Sequence, residues 1–413
     1  MYLCLGKGEV HMPDENVRSD KLGGTAKRRS TSTRDIRDGA NVEYKYISAD
    51  NHIDLVWYPK DIIQSRIPSQ YREQAPKVVE SDKGTAWEWE GDIHAFAADG
   101  KDWAKYAKRF EPIAVEEGKL PPADPEVLLQ HMDLGQLYAG VFYGNTRKWT
   151  FKDKTLEKEV YKAFNDWAVE MSTYNSDRLF VLPWLHAAFP ETCVDELMRL
   201  VDKGVRAVEL SPNDMGEDVW SPVWEPLWAA AEETGTIICT HIGDAAGTPY
   251  PPNEYGQSLA HFSQVPFNPA GKHIAQFVFS GIFERHPKLH VSMAECRIGW
   301  LPFLFQWMER CHNDRMPDSI NPLKENPLHY INNNMSFTFE EDYIGAKMIP
   351  DPEFLIRESV IWGCDYPHEQ GQTWPDATPA MERMFTGTDS NLVEDVVWNR
   401  AQKIFGIKGP GNN

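Results

Sequence analysis

Short β-prone runs alternate with longer amphipathic segments along most of this chain, and that alternation restricts the possible folds more than any other feature. Eight such runs occur. They are YKYISADNH (44–52), AGVFYGN (139–145), LFVLPWLHA (179–187), RAVELSP (206–212), TIICTHIG (236–243), LHVSMAEC (289–296), MSFTFE (335–340) and VIWGCDYPH (360–368). Helical candidates such as LEKEVYKAFNDWAVEMSTY and VWEPLWAAAEETG lie between them. Strand–helix alternation produces a parallel sheet, and so many units favour an α/β fold of the closed (β/α)8 type, a TIM barrel, over an open doubly wound sheet.

Several common active-site motifs are missing from the sequence. No GxGxxG follows the first run and no GxxxxGKS or GxxxxGKT occurs, so the nucleotide-binding forms of an open sheet lack their fingerprints. Neither GxSxG nor HExxH occurs. Serine-hydrolase and zincin chemistry are therefore not supported.

The predicted barrel occupies residues 44–406, with irregular segments before, within and after it. Residues 1–43 are polar and lack periodicity, which predicts an N-terminal arm. The rhythm breaks at 56–130, where KVVESDKGTAWEWEG (77–91) has the alternation of a hairpin. We therefore predict an insertion after the first strand that lies at the barrel mouth, and a C-terminal tail at 407–413.

The charge and the apolar pattern exclude several classes of partner. A formal net charge of -20 argues against general affinity for nucleic acid or anionic membranes, since both require a basic surface. The basic stretch KRRSTSTR (27–34) is predicted to be a solvated part of the arm. No stretch approaches the ~20 apolar residues of a membrane span, no secretory signal is evident, and the six cysteines include no CxxC pair. These features predict a cytoplasmic protein that acts on a small molecule.

Polar residues end several of the predicted strands, where active sites of such barrels lie. Asp50 and His52 share one face of the first strand, because side chains at i and i+2 point the same way. His241, Glu295 and Asp365 end the fifth, sixth and eighth strands. Two imidazoles and three carboxylates that converge at a barrel mouth would be costly without a cation. The sequence therefore predicts a metal site formed by these five residues.

Several longer motifs carry a family resemblance over roughly residues 44–406. They are ISADNH, CTHIG, SGIFERHPKLHVSMAECRIGWLPF, WGCDYPH and WNRAQKIFG. With these motifs the chain resembles the amidohydrolase superfamily, in the branch that includes aminocarboxymuconate-semialdehyde decarboxylase and the resorcylate decarboxylases. The resemblance implies a metal-dependent barrel enzyme, hydrolase or decarboxylase. By position, Asp50, His52, His241 and Asp365 match the family's metal ligands, and Asp365 also matches its proton-transfer group.

The chain departs from the family pattern toward oxygen ligands. Many relatives have HxH where this chain has Asp50-Asn51-His52, and relatives often have His where this chain has Glu295. No lysine ends the fourth strand, and Glu209 occupies that neighbourhood. Oxygen-rich sites shift preference from zinc toward manganese or iron. We therefore expect one or two divalent ions, drawn from Zn, Mn and Fe.

Other polar residues near the strand ends are weaker candidates. His186, His261 and Arg297 are predicted to contact substrate, with a structural hydrogen bond or ion pair as the alternative role of His186 and Arg297. His368 follows Asp365 closely and is predicted to act with Asp365 and His241 in catalysis, by orienting Asp365 or exchanging protons.

These residues lead to one main functional prediction and several alternatives. The main prediction is hydrolysis by metal-activated water, with Asp365 as acid and base. Non-oxidative decarboxylation is the alternative, because the ligand sets of the two reactions overlap almost wholly. A dinuclear iron or manganese oxygenase, or a non-catalytic partner subunit, comes third. The resemblance further implies a homo-oligomer, with assembly alongside a related subunit as another arrangement.

Overall fold

The computed structural model describes most of the chain from residue 42 onward. The described residues are 42–82, 84–96, 121–144, 149–241, 260, 263–264, 266–314, 323–368 and 373–410. All of them belong to one compact unit, Asp38–Asn413. The predicted N-terminal arm lies outside the described residues except for its last two positions. Residues 97–120 of the predicted insertion also lie outside them.

Eleven strands lie in the described part of the chain, and eight of them coincide with the eight β-prone runs of the sequence. In chain order the strands are β1 Tyr46–His52, β2 Lys77–Ser81, β3 Gly84–Trp89, β4 Asp92–Phe96, β5 Leu137–Tyr143, β6 Leu179–Val181, β7 Ala207–Glu209, β8 Ile237–His241, β9 Val291–Ala294, β10 Met335–Phe339 and β11 Val360–Trp362. All except β2, β3 and β4 pair in parallel.

Helices follow most of the parallel strands. The described α-helices are α1 Pro125–Leu134, α2 Lys154–Tyr174, α3 Pro190–Asp202, α4 Glu225–Thr234, α5 Asn268–Phe279, α6 Ile282–Arg285, α7 Leu301–Asp314, α8 Pro327–Asn334, α9 Tyr343–Met348, α10 Thr378–Phe385, α11 Ser390–Glu394 and α12 Arg400–Phe405, with a π-helix at Asp395–Asn399 between the last two. Asp153 caps the N-terminus of α2, because its side chain accepts hydrogen bonds from the backbone N–H groups of Thr155 and Leu156. Gly235 ends α4 in the left-handed conformation that favours glycine. No described helix is both long and apolar enough to cross a bilayer.

The parallel strands form two sheets whose edges are linked by backbone hydrogen bonds. One sheet has the order β1-β5-β6, and the other has the order β11-β10-β9-β8-β7. Beyond the strand ends, Leu185 N–H donates to Glu209 O at 2.8 Å, which joins β6 to β7. Asp365 N–H donates to Asp50 O at 2.9 Å, which joins β11 to β1. The carboxyl ends of all eight parallel strands therefore lie on the same side.

One apolar cluster receives residues from both parallel sheets. Its buried members include Ile47 of β1, Val141 of β5, Cys239 of β8, Ala294 of β9 and Ile361 of β11. The cluster therefore joins the two sheets through apolar contacts. The thiol of Cys239 is fully buried in this cluster.

A separate antiparallel sheet follows β1. β2 pairs with β3 as the hairpin predicted from the sequence, and β4 adds a third strand that was not predicted. Trp87 is fully buried and its indole N–H donates to Leu55 O at 3.1 Å, which fixes the hairpin to the segment after β1. The placement of this insertion at the barrel mouth stays a prediction.

Candidate metal centre

Four residues from three strand ends meet in a buried cluster. His52 Nε2 lies 3.6 Å from Asp50 Oδ1 and 3.4 Å from Asp365 Oδ1. His241 Nε2 lies 3.8 Å from the same oxygen of Asp50. All four residues are buried, and the ligand atoms of Asp50, His52 and His241 lie within 4.8 Å of one another. The alternation of side chains along β1 delivers both Asp50 and His52, as the sequence predicted.

Glu295, the fifth predicted ligand, lies at the edge of the same cluster. Its Oε2 is 3.5 Å from His241 Nε2, and its side chain is 15% exposed, whereas Asp50, His52 and Asp365 are wholly buried. The structure therefore brings together all five residues predicted to bind metal. Their assignment as ligands stays a prediction.

The backbone takes an unusual conformation where two of the carboxylates leave their strands. Glu295 has a φ of 56° and Asp365 a φ of 53°, the left-handed region that side chains other than glycine rarely adopt. Arg297 has a φ of 54°. Conformations of this kind cost on the order of 1 kcal/mol each or more and cluster at functional sites.

Gly363 lets β11 approach β1 at the metal cluster. A Cβ at this position would lie 2.4 Å from the Cβ of Asp50, closer than real side chains allow. A residue without a side chain is therefore required beside Asp50. The close approach also allows the backbone hydrogen bond from Asp365 to Asp50 described above.

Two polar side chains at the end of β10 belong to the cluster but were missed in the sequence. Thr338 donates to Asp50 Oδ2 at 2.9 Å and accepts from the Glu295 amide at 2.7 Å. Glu340 is fully buried and pairs with Arg297. The alternation of Ser336, Thr338 and Glu340 in MSFTFE was the available signal, because three polar residues on one face of a buried strand are unusual.

His368 links the cluster to a further carboxylate. Its Nδ1 lies 2.9 Å from Asp365 Oδ1, and its Nε2 lies 2.8 Å from Asp54 Oδ2. Its ring stacks on His52 with centroids 4.2 Å apart. Burial by itself lowers the pKa of His368, but the carboxylates of Asp365 and Asp54 raise this pKa well above its ordinary value. His368 therefore contacts Asp365, and its predicted catalytic role stays a prediction.

Carboxylates crowded into one buried site repel one another. Burial raises the pKa of Asp50 well above its ordinary value, and the surrounding carboxylates raise it further. These neighbours are Glu340, Asp365 and Glu295. Burial and repulsion from neighbouring carboxylates also raise the pKa of Glu295. Burial raises the pKa of Glu340 to about 7, although the guanidinium of Arg297 lowers this pKa. A positive charge placed among these groups would offset the repulsion.

The donor set fits a divalent cation. It offers imidazole nitrogen and carboxylate oxygen, which suit manganese, iron and zinc. Among the described residues, none donates a hydrogen bond to Asp50 Oδ1, although this atom is buried. A buried carboxylate oxygen without a donor is costly unless a cation contacts it. His52 is common to two groups with metal-ligand spacing, one with Asp50 and His241 and the other with Asp365 and His368.

The three residues predicted to bind substrate have different surroundings. His186 contacts Glu157 at 2.8 Å and stacks on Tyr161 with centroids 4.1 Å apart, contacts that fit a structural role. Arg297 pairs with Glu340 at the edge of the metal cluster. His261 lies outside the described residues. Substrate binding by these residues stays a prediction.

The parallel α/β architecture and the buried cluster of imidazoles and carboxylates define a metal-dependent enzyme class. Residues 147–407 match the family model described as Amidohydrolase, which spans more than half of the chain. The chain belongs to the amidohydrolase family, as the resemblance in the sequence indicated. A search of curated proteins finds no match.

Solved structures of low sequence identity share the fold. An amidohydrolase from Mycobacterium avium subsp. paratuberculosis has a TM-score of 0.66 at 17% identity, over 89% of this chain and 99% of that one. A 2,6-dihydroxybenzoate decarboxylase from Rhizobium has a TM-score of 0.57 at 16% identity, over 89% of this chain and all of that one (100%). A 5-carboxyvanillate decarboxylase from Novosphingobium aromaticivorans, solved with bound manganese, has a TM-score of 0.59 at 15% identity, over 88% of this chain and 97% of that one. These likenesses imply an α/β fold of the TIM-barrel type.

Glu295→His is expected to shift the metal preference toward zinc. The carboxylate at 3.5 Å from His241 would be replaced by an imidazole, and nitrogen ligands favour zinc more than carboxylate oxygen does. Competition between manganese and zinc, read out as the bound fraction of each metal, measures the change. An unchanged preference would mean that Glu295 is not a ligand.

Proposed function

We propose that this protein is a metal-dependent decarboxylase that removes CO2 without oxidation from a small aromatic acid with a hydroxyl beside its carboxylate. The observation that carries the proposal is the convergence of Asp50, His52, His241 and Asp365 on one buried point, in a fold shared with several decarboxylases. Hydrolysis, our main prediction from the sequence, is less well supported, because several of the similar structures are named as decarboxylases of dihydroxybenzoate or carboxyvanillate.

The metal would be held by Asp50, His52, His241 and Asp365, with Glu295 beside them. When bound, the cation would draw electron density from the substrate carboxylate and a neighbouring oxygen. Arg297 reaches the partly exposed edge of the site and binds the anionic end of the substrate, while Glu340 fixes the guanidinium in place.

Proton delivery is assigned to Asp365 and His368. Decarboxylation breaks the bond between the ring carbon and the carboxylate carbon, CO2 leaves, and the electron pair stays on the ring carbon. One proton must then be added to that carbon. Asp365 and His368 are in contact at 2.9 Å, so a proton can pass between them before it reaches the substrate. Asp54 holds the other nitrogen of His368 and orients the ring.

We also propose the finer architecture predicted from the sequence. The eight parallel strands form one closed (β/α)8 barrel, supported by the bridges Trp184–Glu209 and Asn51–Tyr366 between the two sheets. The insertion at 56–130 covers the mouth of this barrel, and the protein assembles as a homo-oligomer. Light scattering of the purified full-length chain tests the assembly, and a monomer at micromolar concentration would contradict it.

A substrate panel tests the reaction. Wild-type protein loaded with Mn²⁺ is mixed with 2,6-dihydroxybenzoate, other hydroxybenzoates and 5-carboxyvanillate, and the released CO2 and the ultraviolet spectrum of the acid are followed. We expect turnover of at least one acid, little turnover of benzoate, which lacks the hydroxyl, and none with His52→Ala. A parallel panel of esters, lactones and amides tests for hydrolysis. Turnover there without CO2 release from any acid would replace decarboxylation by hydrolysis.

A further inference from the structure

We infer that Thr338 is a positioning residue that fixes the orientation of the Asp50 carboxylate, so that one of its oxygens faces the cation. The inference concerns the cation site and does not depend on which reaction the site performs. It rests on two hydrogen bonds made by one hydroxyl group and on the distances of the two Asp50 oxygens from the imidazoles.

The two oxygens of Asp50 have different surroundings. Oδ1 lies 3.6 Å from His52 Nε2 and 3.8 Å from His241 Nε2, so it faces the imidazoles. Oδ2 accepts a hydrogen bond from Thr338 at 2.9 Å. A partial rotation of the carboxylate would move Oδ2 away from the Thr338 hydroxyl and Oδ1 away from the imidazoles, so the hydrogen bond opposes that rotation. Asp50 therefore presents a single fixed oxygen to the cation.

The same hydroxyl fixes the position of Glu295. Its oxygen accepts the backbone N–H of Glu295 at 2.7 Å, at the residue where the chain turns into the left-handed conformation. A hydroxyl has one proton to donate and lone pairs with which to accept, so both bonds can exist together. The donated proton goes to Asp50 and the accepted one comes from Glu295. One buried side chain thus sets the separation of two candidate ligands that lie on different strands.

Outer partners of metal ligands change affinity without contacting the metal. Loss of such a partner typically weakens metal binding by about 10–100-fold, because the ligand must then be ordered when the metal binds. Thr338 has this relation to Asp50. Serine keeps the hydroxyl, valine keeps the shape without it, and cysteine offers a much weaker donor of similar size.

The test compares Mn²⁺ affinity among variants by calorimetric titration of the full-length protein, with the melting temperature of the metal-free form as a second measurement. Thr338→Val is expected to weaken Mn²⁺ binding by about 10–100-fold, Thr338→Ser to stay close to wild type and Thr338→Cys to fall between them. Ser336→Ala is the matched control, since it removes a buried hydroxyl that bonds Ser292 from the same face of β10. We expect its Mn²⁺ affinity to be unchanged.

The outcomes separate the role of Thr338 from the metal site itself. Thr338→Val with wild-type affinity, or Ser336→Ala with an equal loss, would overturn the positioning role. If the valine variant does not fold, the comparison of serine with cysteine decides, and equal affinity of these two would contradict the inference. Absence of Mn²⁺ binding to wild type would overturn the site as well as the role of Thr338, whereas failure of the acid panel alone would leave the affinity differences in place.

Discussion

Purified His52→Ala protein is expected to contain almost no bound metal. His52 Nε2 lies 3.6 Å from Asp50 Oδ1 and 3.4 Å from Asp365 Oδ1, so its loss removes the one ligand that both groups with metal-ligand spacing share. The affinity should fall by more than the ~10–100-fold that loss of an outer partner causes. Metal content per chain, measured by mass spectrometry after dialysis, gives the result. Asp50→Ala and His241→Ala should behave in the same way.

His286→Ala is the matched control for these variants. His286 is also a histidine at low exposure with two carboxylate partners, since its nitrogens lie 3.0 Å from Glu225 and 3.2 Å from Glu232. It follows α6, as the C-terminal neighbour of a short helix, and has no contact with the cluster among the described residues. It should keep full metal content. Full occupancy in His52→Ala would refute the ligand assignment.

Asp365→Asn is expected to lower turnover by ~10²-fold or more while most of the metal stays bound, the scale expected when a general acid or base is lost. An amide keeps an oxygen near His52 but cannot carry the proton exchanged with His368. Activity is titrated against added metal, with an acid from the panel that wild type turns over. Full rescue at saturating metal would show that Asp365 is only a metal anchor.

Asp54→Asn separates proton transfer by Asp365 from the orientation of His368. Asp54 contacts the opposite nitrogen of the same imidazole at 2.8 Å, and its exposure is higher than that of Asp365. The substitution removes a carboxylate from His368 and none from the metal ligands. We expect a smaller loss of turnover than in Asp365→Asn. Equal losses would indicate that the two carboxylates act only through His368.

The eight parallel strands could be located in the sequence because each one lies in a continuous β-prone run. Parallel strands covered on both faces need apolar residues at nearly every position, and β5, with the sequence LYAGVFY, is buried throughout. Most of the runs are longer than the strands, because some of their polar ends lie outside the strand pairing: β11 stops at Trp362, before Asp365. The hairpin was also predicted, but β4 was not, because its run DIHAF is only five residues long and its first three residues are exposed.

The ligand cluster was predicted in outline because its members lie at or just after the C-terminal ends of their strands. The C-terminal ends of parallel strands lie on the same side of a sheet. The supporting side chains were not predicted. Thr338 and Asp50 are 288 positions apart in sequence, and their strands are separated by β11 in the sheet order. Such a contact depends on register and strand tilt, which linear patterns do not contain. The left-handed φ of Glu295 and Asp365 was equally unforeseeable, because neither residue is glycine.

The left-handed turns at Glu295 and Asp365 have a consequence for protein engineering. Metal-free protein holds repelling carboxylates on backbone that glycine would adopt more easily. A library of variants ranked only by melting temperature in the absence of metal would therefore enrich substitutions such as Glu295→Gly. Such variants would be more stable without metal but would lack a candidate metal ligand. Stabilising this scaffold requires selection in the presence of the ion, so that variants with intact ligands gain from binding it.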